Sequence, residues 1–360
     1  MGILPKHQAP AQANSLEGEF AASFFNGNLH LILLPTEQCN FRCTYCYEDF
    51  SIGRMTAEVR QGVKRLIDRR LDGLRSLSVS WFGGEPLLAR DIITDISDHI
   101  VRSSVARPEL DYAGDITTNG YLLDHAAVER LAELGIRSYQ ISLDGPRELH
   151  DRTRLRANRK GSFDRIWGNL LAIRDGCAQV RVVLRIHLTP GNIPAMPDFL
   201  AQIRDTFLRD KRFTVLLKPI ESMGGLNGDT ISVIPADERP RILAALQAIV
   251  LDEGDSDRLF SGDEICYAAR ANSLVVRADG RIGKCTVALT DPVNTIGRLL
   301  PNGVLQIDND VLRVWLRGWE NGDRAFLACP YSCIPHNQPE NHPELLQINA
   351  STRGVKTAHA

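Results

Sequence analysis

The chain has 360 residues, and its 42 basic and 44 acidic residues give a formal net charge of −2. No global field therefore attracts nucleic acid or an anionic membrane, and neither class of partner is expected. Hydrophobic residues make up 43% of the chain, which is typical of a globular protein, and the length suits roughly two domains. The early apolar run LHLILLP is far shorter than the roughly 20 residues of a membrane span.

The first 27 residues contain neither the basic start nor the long apolar core of a signal peptide. They are rich in Ala, Gln and Asn, and we expect residues 1–27 to form a loosely ordered arm. A cytoplasmic location is therefore predicted.

Apolar stretches and amphipathic patterns then alternate along the chain. Six stretches predict strands, at residues 30–35, 77–82, 114–119, 138–144, 180–188 and 213–220. The intervening patterns predict helices, the first with Thr56 as its N-cap and the others near residues 88–103, 122–134, 162–175, 193–207 and 237–251. This order predicts an α/β fold with a parallel sheet, and both an open doubly wound sheet and a six-unit partial barrel are compatible with it. In either fold, ligands bind beyond the carboxyl ends of the strands.

The alternation stops after about residue 255. The segment NSLVVRADGRIGKC predicts a hairpin with a two-residue turn at Asp279-Gly280. A run rich in Pro, Asn and His follows it and is unsuited to long regular elements. We therefore predict an α/β unit at residues 28–254, a small cysteine-bearing domain at 255–345 and a tail at 346–360.

Cysteines are the sharpest chemical signal in the sequence. In a cytosolic chain of this size they indicate metal ligands or catalytic groups rather than disulfides. Seven of the eight lie in clusters, and Cys177 stands alone and is expected to be a small packed apolar residue. The clustered positions are Cys39, Cys43, Cys46, Cys266, Cys285, Cys329 and Cys333.

The first cluster, Cys39, Cys43 and Cys46, follows the first predicted strand with the spacing C-x3-C-x2-C. A structural zinc site needs a fourth Cys or His, and the nearest histidine, His30, lies at the other end of that strand. A [4Fe–4S] cluster fits better, because three thiolates leave one iron free to bind a small molecule.

This loop resembles the signature of the radical S-adenosylmethionine superfamily, in which an aromatic residue, here Tyr45, precedes the last cysteine. Four further motifs appear in the order typical of that family: FGGEP (82–86), TTNG (117–120), ISLDG (141–145) and HDRTR (150–154). The resemblance covers roughly residues 28–225 and implies a partial (β/α)6 TIM-like barrel. It also implies that the cluster and the cofactor bind at the carboxyl ends of the strands.

The resemblance implies roles for particular residues at that edge. Arg154 is expected to hold the carboxylate of the cofactor, and either Arg185 or His187 is expected to face it. Glu85 is expected to position the ligand or the cysteine loop rather than to act as an acid. Leu217 suits either an adenine contact or the core. The complete set of predicted cofactor-binding residues is Tyr45, Gly83, Gly84, Glu85, Thr118, Asn119, Ser142, Arg154, Arg185 and Leu217.

The second cysteine set resembles the start of the SPASM and twitch domains, because Cys266 and Cys285 flank a hairpin that contains Gly280. Cys329 and Cys333 bring the number of thiols to four, which would fill every iron position of one auxiliary [4Fe–4S] cluster. A zinc ion held by the same four thiolates is the alternative. A full SPASM domain carries seven cysteines, so this domain resembles the smaller twitch type.

The resemblance implies reductive cleavage of S-adenosylmethionine and hydrogen abstraction by a 5'-deoxyadenosyl radical. It favours a ribosomal peptide or protein substrate that receives a thioether, a carbon–carbon cross-link or a related oxidation. The first alternative is a twitch-type dehydrogenase or epimerase of a small molecule such as an aminoglycoside. A sulfatase maturase is less favoured, because Thr286 stands where those enzymes carry an aspartate base.

Two kinds of protein partner follow from this reading. The chemistry needs a low-potential electron donor of the flavodoxin or ferredoxin type. The arm is too short for a peptide-binding winged helix, so a separate peptide-recognition protein is a further expected partner. The sequence does not identify the general base.

Overall fold

The computed structural model of the chain describes residues 15–221, 231–251 and 265–334. The strands in these ranges are β1 (Asn28–Leu33), β2 (Ser76–Trp81), β3 (Asp111–Thr118), β4 (Ile136–Leu143), β5 (Arg181–Leu188), β6 (Phe213–Pro219), β7 (Ser273–Val276), β8 (Arg281–Gly283), β9 (Gly297–Leu299) and β10 (Leu305–Ile307). The start of the predicted arm (1–14), residues 252–264 around the predicted domain boundary, and the predicted tail lie outside the described residues.

Helices separate the first six strands, and further helices precede β1 and follow β6 and β10. They are α1 (Leu16–Phe24), α2 (Ala57–Arg70), α3 (Arg90–Val105), α4 (His125–Glu133), α5 (Arg147–Thr153), α6 (Phe163–Asp175), α7 (Met196–Ile203), α8 (Arg239–Val250), α9 (Asn309–Leu316), α10 (Gly318–Asn321), α11 (Arg324–Ala328) and α12 (Pro330–Cys333). The predicted cap is confirmed, since the Thr56 hydroxyl accepts a hydrogen bond from the N–H of Val59. None of the helices in the described ranges is long and apolar enough to cross a membrane.

All ten strands belong to one sheet with the order β10-β9-β8-β7-β1-β2-β3-β4-β5-β6. Strands β1 to β6 are parallel and neighbour one another in chain order. In a doubly wound sheet the order of the strands reverses at a switch point. Here each strand from β2 to β6 is added on the same side of the strand before it. The expected partial (β/α)6 barrel is therefore confirmed. The predicted hairpin extends the same sheet, because β7 pairs with β1 in parallel.

The two faces of the parallel sheet differ in composition. Leu31, Val79 and Leu184 on the helix-covered face are 0% exposed, and their burial contributes about 1.5–3 kcal/mol each. The opposite side, which we call the open face, is half-buried and polar. Its members include Ser78, Ser80, Asp115, Thr117 and Gln140. This alternation has the period of two that a strand imposes.

The N-terminal arm differs from the prediction. Residues Leu16–Phe24 form α1, and the Ser15 side chain caps it. Phe20 and Phe24 lie 5.7 and 6.2 Å from the ring of Trp319. The expectation of a loose arm is wrong for this stretch, because its apolar partner lies almost 300 residues further along the chain and leaves no local signal.

Two smaller predictions also need correction. Cys177 is exposed rather than packed, since it lies in the connection between α6 and β5. The hairpin connection covers residues 277–280 instead of two residues, although Gly280 does take the positive φ of 85° that a tight turn requires. The N–H of Ala278, within this connection, donates to the carboxylate of Glu37.

The Ala278 contact belongs to a buried ion pair between the first connection of the barrel and the hairpin. Arg277 donates through Nε to Glu37 Oε1 at 3.2 Å and through Nη2 to Oε2 at 2.5 Å. Arg277 is 5% exposed and Glu37 is 3% exposed, so water cannot replace either partner. The pair therefore fixes β7 and β8 against the segment that leads into the cysteine loop.

We predict that Arg277→Ala lowers the free energy of unfolding by about 3–5 kcal/mol, because it leaves a buried carboxylate without its partner. The matched control is Arg130→Ala, which removes an arginine that is paired with Asp98 and Glu133 at the surface and should cost at most about 1 kcal/mol. Urea unfolding of the anaerobically reconstituted protein measures both. Equal losses in the two variants would contradict a structural role for the buried pair.

Candidate active site

The three cysteines of the first set lie on the loop between β1 and α2, and backbone hydrogen bonds hold this loop against the segment after α5. Arg42 N–H donates to Leu155 C=O at 2.7 Å, and Thr44 N–H donates to Thr153 C=O at 2.9 Å. All three cysteines are free and half-buried. Burial raises the pKa of Cys46 to about 12 and also raises the pKa values of Cys39 and Cys43. The thiols thus keep their protons at neutral pH until a metal displaces them.

The two glycines of FGGEP lie directly beneath this loop. A Cβ on Gly84 would lie 2.6 Å from Gln38 O and 3.0 Å from Cys39 Cβ. A Cβ on Gly83 would lie 2.2 Å from Thr36 O, and this glycine has a φ of +115°. The close approach that these glycines permit is therefore an approach of the cysteine loop to the end of β2.

Glu85 joins that strand end to the next one and is fully buried. Its Oε1 accepts from Thr118 Oγ1 at 2.8 Å and from Leu87 N–H at 3.0 Å, and its Oε2 accepts from Asn119 N–H at 2.8 Å. Burial raises the pKa of Glu85, and these three donors oppose the shift.

Asn119 carries the connection on to the cysteine loop. Its side-chain amide donates to Asn40 Oδ1 at 2.8 Å, next to Cys39. Glu85 can therefore position the cysteine loop as predicted. Its carboxylate orders the TTNG turn, and Asn119 of that turn contacts the cysteine loop.

A second network surrounds Tyr45 and centres on Asp144, the aspartate of ISLDG. The Tyr45 hydroxyl donates to Asp144 Oδ1 at 2.8 Å and accepts from Arg154 Nη1 at 2.7 Å. His187 Nδ1 lies 3.1 Å from the same carboxylate oxygen, and Thr153 Oγ1 donates to Oδ2 at 2.6 Å. The tyrosine hydroxyl therefore links the cation of Arg154 to the buried anion of Asp144.

The charges in this network follow from burial and pairing. Burial alone would raise the pKa of Asp144, but the hydrogen bond from His187 and the charge of Arg154 outweigh it and hold the pKa well below its usual range. Burial lowers the pKa of His187 to about 4. At neutral pH the site thus combines a carboxylate, a neutral imidazole and a guanidinium.

Two arginines at this edge of the sheet keep an unused donor. The Nε groups of Arg154 and Arg185 are buried and have no hydrogen-bond partner in the part of the chain that the structure describes. A buried donor without an acceptor costs about 1–3 kcal/mol. Arg154 is 6% exposed, and its unused Nε–H together with its charge suits a ligand carboxylate. The predicted cofactor contact of Arg154 therefore fits the structure.

The remaining predicted residues divide between the two faces. Ser142 is in register with Arg185 on the neighbouring strand. By the alternation of side chains along their strands, both residues belong to the open face of the sheet. Leu217 is in register with Ile186 and belongs to the buried core, so the structure favours its core interpretation. Its contact with adenine remains only a prediction.

The donor set of the loop suits an iron–sulfur cluster better than a single metal ion. Among the described residues, no three Cys, His, Asp or Glu side chains converge closely enough to hold one metal ion. A [4Fe–4S] cluster instead takes each thiolate on a different iron, which spreads the ligands apart. Three half-buried thiols on a loop, with the N–H of Phe41 donating to Cys39 Sγ at 3.3 Å, fit that arrangement.

The second cysteine set gathers around the hairpin and α12. Burial raises the pKa of Cys266 to about 11, and the nearby sulfurs of Cys285 and Cys329 add to the shift. Cys266 N–H donates to Leu327 C=O at 2.8 Å, just before Cys329. Cys329 caps α12, and Cys333 is the last residue of that helix. Cys266 therefore lies near Cys285 and Cys329, while the convergence of the four thiols on one metal centre and the identity of that metal remain predictions.

Sequence reasoning missed the central residue of the site. Asp144 lay within the ISLDG motif, but only Ser142 of that motif was singled out. The signal was an Asp-Gly pair directly at a strand end, where a carboxylate meets the ligand edge. His30 was considered only as a zinc ligand, whereas its two ring nitrogens each lie 2.9 Å from a serine hydroxyl, those of Ser80 and Ser273.

We predict that Gly84→Ala removes the metal of the first set, because the added Cβ pushes Gln38 and Cys39 away from β2. The reconstituted variant should hold about four fewer irons per chain than the wild type. Gly53→Ala in the same loop is the control, since a Cβ there meets nothing within 4 Å. Iron analysis and the visible absorption spectrum measure both variants. A full iron content in Gly84→Ala would show that this contact does not shape the loop.

Comparison with known proteins agrees with this geometry. Residues 33–203 match the sequence family described as the Radical SAM superfamily. The GTP 3',8-cyclase of Aliarcobacter butzleri is 26% identical over 71% of this chain and 79% of its own length. The cysteine-type anaerobic sulfatase-maturating enzyme of Clostridium novyi is 30% identical, but the match covers only 40% of each chain.

Two solved structures share the fold. The enzyme anSMEcpe, with bound AdoMet and the Cp18Cys peptide, superposes with a TM-score of 0.62 at 17% identity over 80% of this chain and 84% of its own. SuiB of Streptococcus suis, bound to the precursor peptide SuiA, gives a TM-score of 0.55 at 15% identity over 86% of this chain and 69% of its own. At these identities the likeness shows the fold alone. By the family match, residues 33–203 of this chain form a Radical SAM domain.

Proposed function

We propose that this protein cleaves S-adenosylmethionine reductively and uses the resulting radical to modify a ribosomal peptide or protein. The observation that carries the proposal is the convergence of the cysteine loop, the Glu85–Asn119 network and Arg154 at one edge of the parallel sheet. When bound, the cluster and S-adenosylmethionine supply a 5'-deoxyadenosyl radical that removes a hydrogen atom from the substrate.

The residues of this chain would bind and orient these groups. Cys39, Cys43 and Cys46 would hold the cluster. Arg154 would hold the cofactor carboxylate, and Tyr45 orients its guanidinium through the 2.7 Å hydrogen bond. Asp144 in turn fixes the tyrosine hydroxyl. A network of this kind holds the guanidinium in place before the ligand arrives, which lowers the cost of binding.

Two observations support a peptide substrate. The open face of the sheet presents hydroxyl and amide groups, including Ser78, Thr117 and Gln140, and these can bind the backbone of an extended chain. The two structures that share the fold contain peptides, namely the Cp18Cys peptide in anSMEcpe and the precursor peptide SuiA in SuiB. The predicted product is a thioether, a carbon–carbon cross-link or a related oxidation.

A small-molecule substrate is the second candidate. It is favoured by the match to GTP 3',8-cyclase, which extends over 71% of this chain and is named for a nucleotide substrate. In that case the chain would act as a dehydrogenase or epimerase. Formylglycine formation is less favoured. Thr286 follows Cys285 in the position where a maturase is expected to carry its base, and its hydroxyl lies 2.7 Å from Tyr267 Oη.

We assign one auxiliary [4Fe–4S] cluster to Cys266, Cys285, Cys329 and Cys333, and its proposed role is electron acceptance, substrate positioning or support for the fold. We also propose a flavodoxin- or ferredoxin-type electron donor and, for a peptide substrate, a separate recognition protein. Cysteine thiols stay reduced and able to bind iron in a reducing compartment. The free cysteines therefore support the proposal of a cytoplasmic location.

The proposal predicts about eight irons per reconstituted chain, in two clusters of four. It also predicts 5'-deoxyadenosine formation that depends on a reductant. Cys43→Ala should abolish cleavage, because it removes a ligand of the first cluster. Cys329→Ala should retain cleavage but form no modified product. Exposed Cys177→Ala is the matched control and should change neither activity. Liquid chromatography of 5'-deoxyadenosine and mass spectrometry of candidate peptides provide the measurements.

The outcomes separate the parts of the proposal. No cleavage by the wild-type chain would refute the radical reaction itself. Cleavage with a modified small molecule and no modified peptide would favour the second candidate. About four irons together with one zinc would replace the auxiliary cluster with a structural metal, and full turnover by Cys329→Ala would remove its role in product formation.

A further inference from the structure

Five basic residues form a strip beside the cysteine loop. We call Arg42, Arg152, Arg156, Arg159 and Lys160 the basic strip. Four of them are exposed and Arg156 is half-buried. None forms an ion pair with a carboxylate in the part of the chain that the structure describes, whereas many other surface arginines, such as Arg54 and Arg130, do.

Two acidic side chains that are close to the basic strip in sequence form no ion pair with it in the described residues. Asp151 lies within the segment, but its carboxylate accepts from the N–H groups of Ser162 and Phe163. Asp49 similarly accepts from the N–H of Ser51. The five cations of the strip outnumber these two carboxylates, so the strip is a local positive surface on a chain whose formal net charge is −2.

The basic strip is attached directly to the loop that carries the first cysteine set. Phe41 and Arg156 form an isolated antiparallel bridge, and Ala157 N–H donates to Asn40 C=O at 2.7 Å. A protein that docks on the strip would therefore lie beside the backbone between Cys39 and Cys43. This position suits the transfer of an electron into that loop.

Backbone strain marks the same place. In the described residues, the non-glycine residues with positive φ are Phe50 at 56° and Arg159 at 62°. Arg159 is a member of the strip, and the guanidinium of Arg42 lies 4.4 Å from the centre of the Phe50 ring. Such conformations cost roughly 1–3 kcal/mol and concentrate at functional sites.

We propose that the basic strip is the docking surface for a small acidic electron-transfer protein. This inference rests on the proposed function, which requires such a donor. In each encounter the donor loses one electron and the cluster of the cysteine loop gains it, with no transfer of atoms or protons. Interfaces of this kind are small and short-lived, and complementary charge mainly accelerates the encounter.

Nucleic acid is the other polyanion that a basic surface could attract. Single strands bind where aromatic faces are free to stack on bases. The aromatic rings beside the strip are covered instead, since Arg156 lies 4.7 Å from the Tyr121 ring centre and Arg42 covers Phe50. The surface therefore offers charge without stacking platforms, which favours a folded acidic protein.

The test compares two triple variants of the reconstituted full chain. The strip variant is Arg152→Gln, Arg159→Gln and Lys160→Gln. The control variant is Arg137→Gln, Arg181→Gln and Lys211→Gln, which changes exposed residues at the opposite, amino-terminal ends of β4, β5 and β6. Both remove two arginines and one lysine, so both shift the formal net charge from −2 to −5.

The measurement is the Kd of an acidic flavodoxin at low salt and at 0.15 M salt. The strip variant should bind about tenfold more weakly than the wild type at low salt, because it loses three exposed charge contacts. The control should stay within about twofold, and salt should narrow the difference because it screens exposed charges. With dithionite as reductant, all three proteins should form 5'-deoxyadenosine at similar rates.

Three results would overturn the docking surface: equal weakening in both variants, no measurable binding of flavodoxin by the wild-type chain, or tighter binding of single-stranded DNA than of flavodoxin. The proposed function is judged separately. Absence of 5'-deoxyadenosine with dithionite would refute the radical reaction, whereas the docking surface is decided by the Kd values.

Discussion

The site depends on how closely the cysteine loop lies against the end of β2. Gly84 permits that approach, because any side chain there would meet the backbone of Gln38. Directly after it, the buried Glu85 orders the TTNG turn, and Asn119 in that turn contacts Asn40 beside the first cysteine. One short motif thus sets the position of the loop from two sides.

A second constraint comes from the C-terminal part of the chain. Arg277 on the hairpin pairs with Glu37 immediately before the cysteine loop. The same hairpin leads to Cys285, which lies in the second cysteine set. Both cysteine sets are therefore tied to one buried ion pair. This arrangement would keep the distance between two clusters constant, which electron transfer or substrate positioning between them would require.

The elements and motifs could be predicted because their signals are local. The alternation of Leu77, Val79 and Trp81 with serines identifies β2, and the cysteine loop, FGGEP, TTNG and ISLDG all lie at or just after the end of a strand. The role of Asp144 could not be assigned in the same way, because Tyr45 and His187 approach it from segments 99 and 43 residues away along the chain. The order of α1 likewise depends on Trp319 at the other end of the chain. Contacts of this kind are set by tertiary packing and leave no periodic pattern in the sequence.

The proposed chemistry requires that three thiolates leave one iron open for S-adenosylmethionine. Electron paramagnetic resonance of the dithionite-reduced Cys329→Ala, Cys333→Ala double variant tests this requirement most directly, because only the first cluster would remain. Adding S-adenosylmethionine should change the g-values of this cluster, since the cofactor would ligate the open iron. An unchanged spectrum at saturating S-adenosylmethionine, or the absence of a [4Fe–4S] signal, would show that no iron of this loop is open to the cofactor.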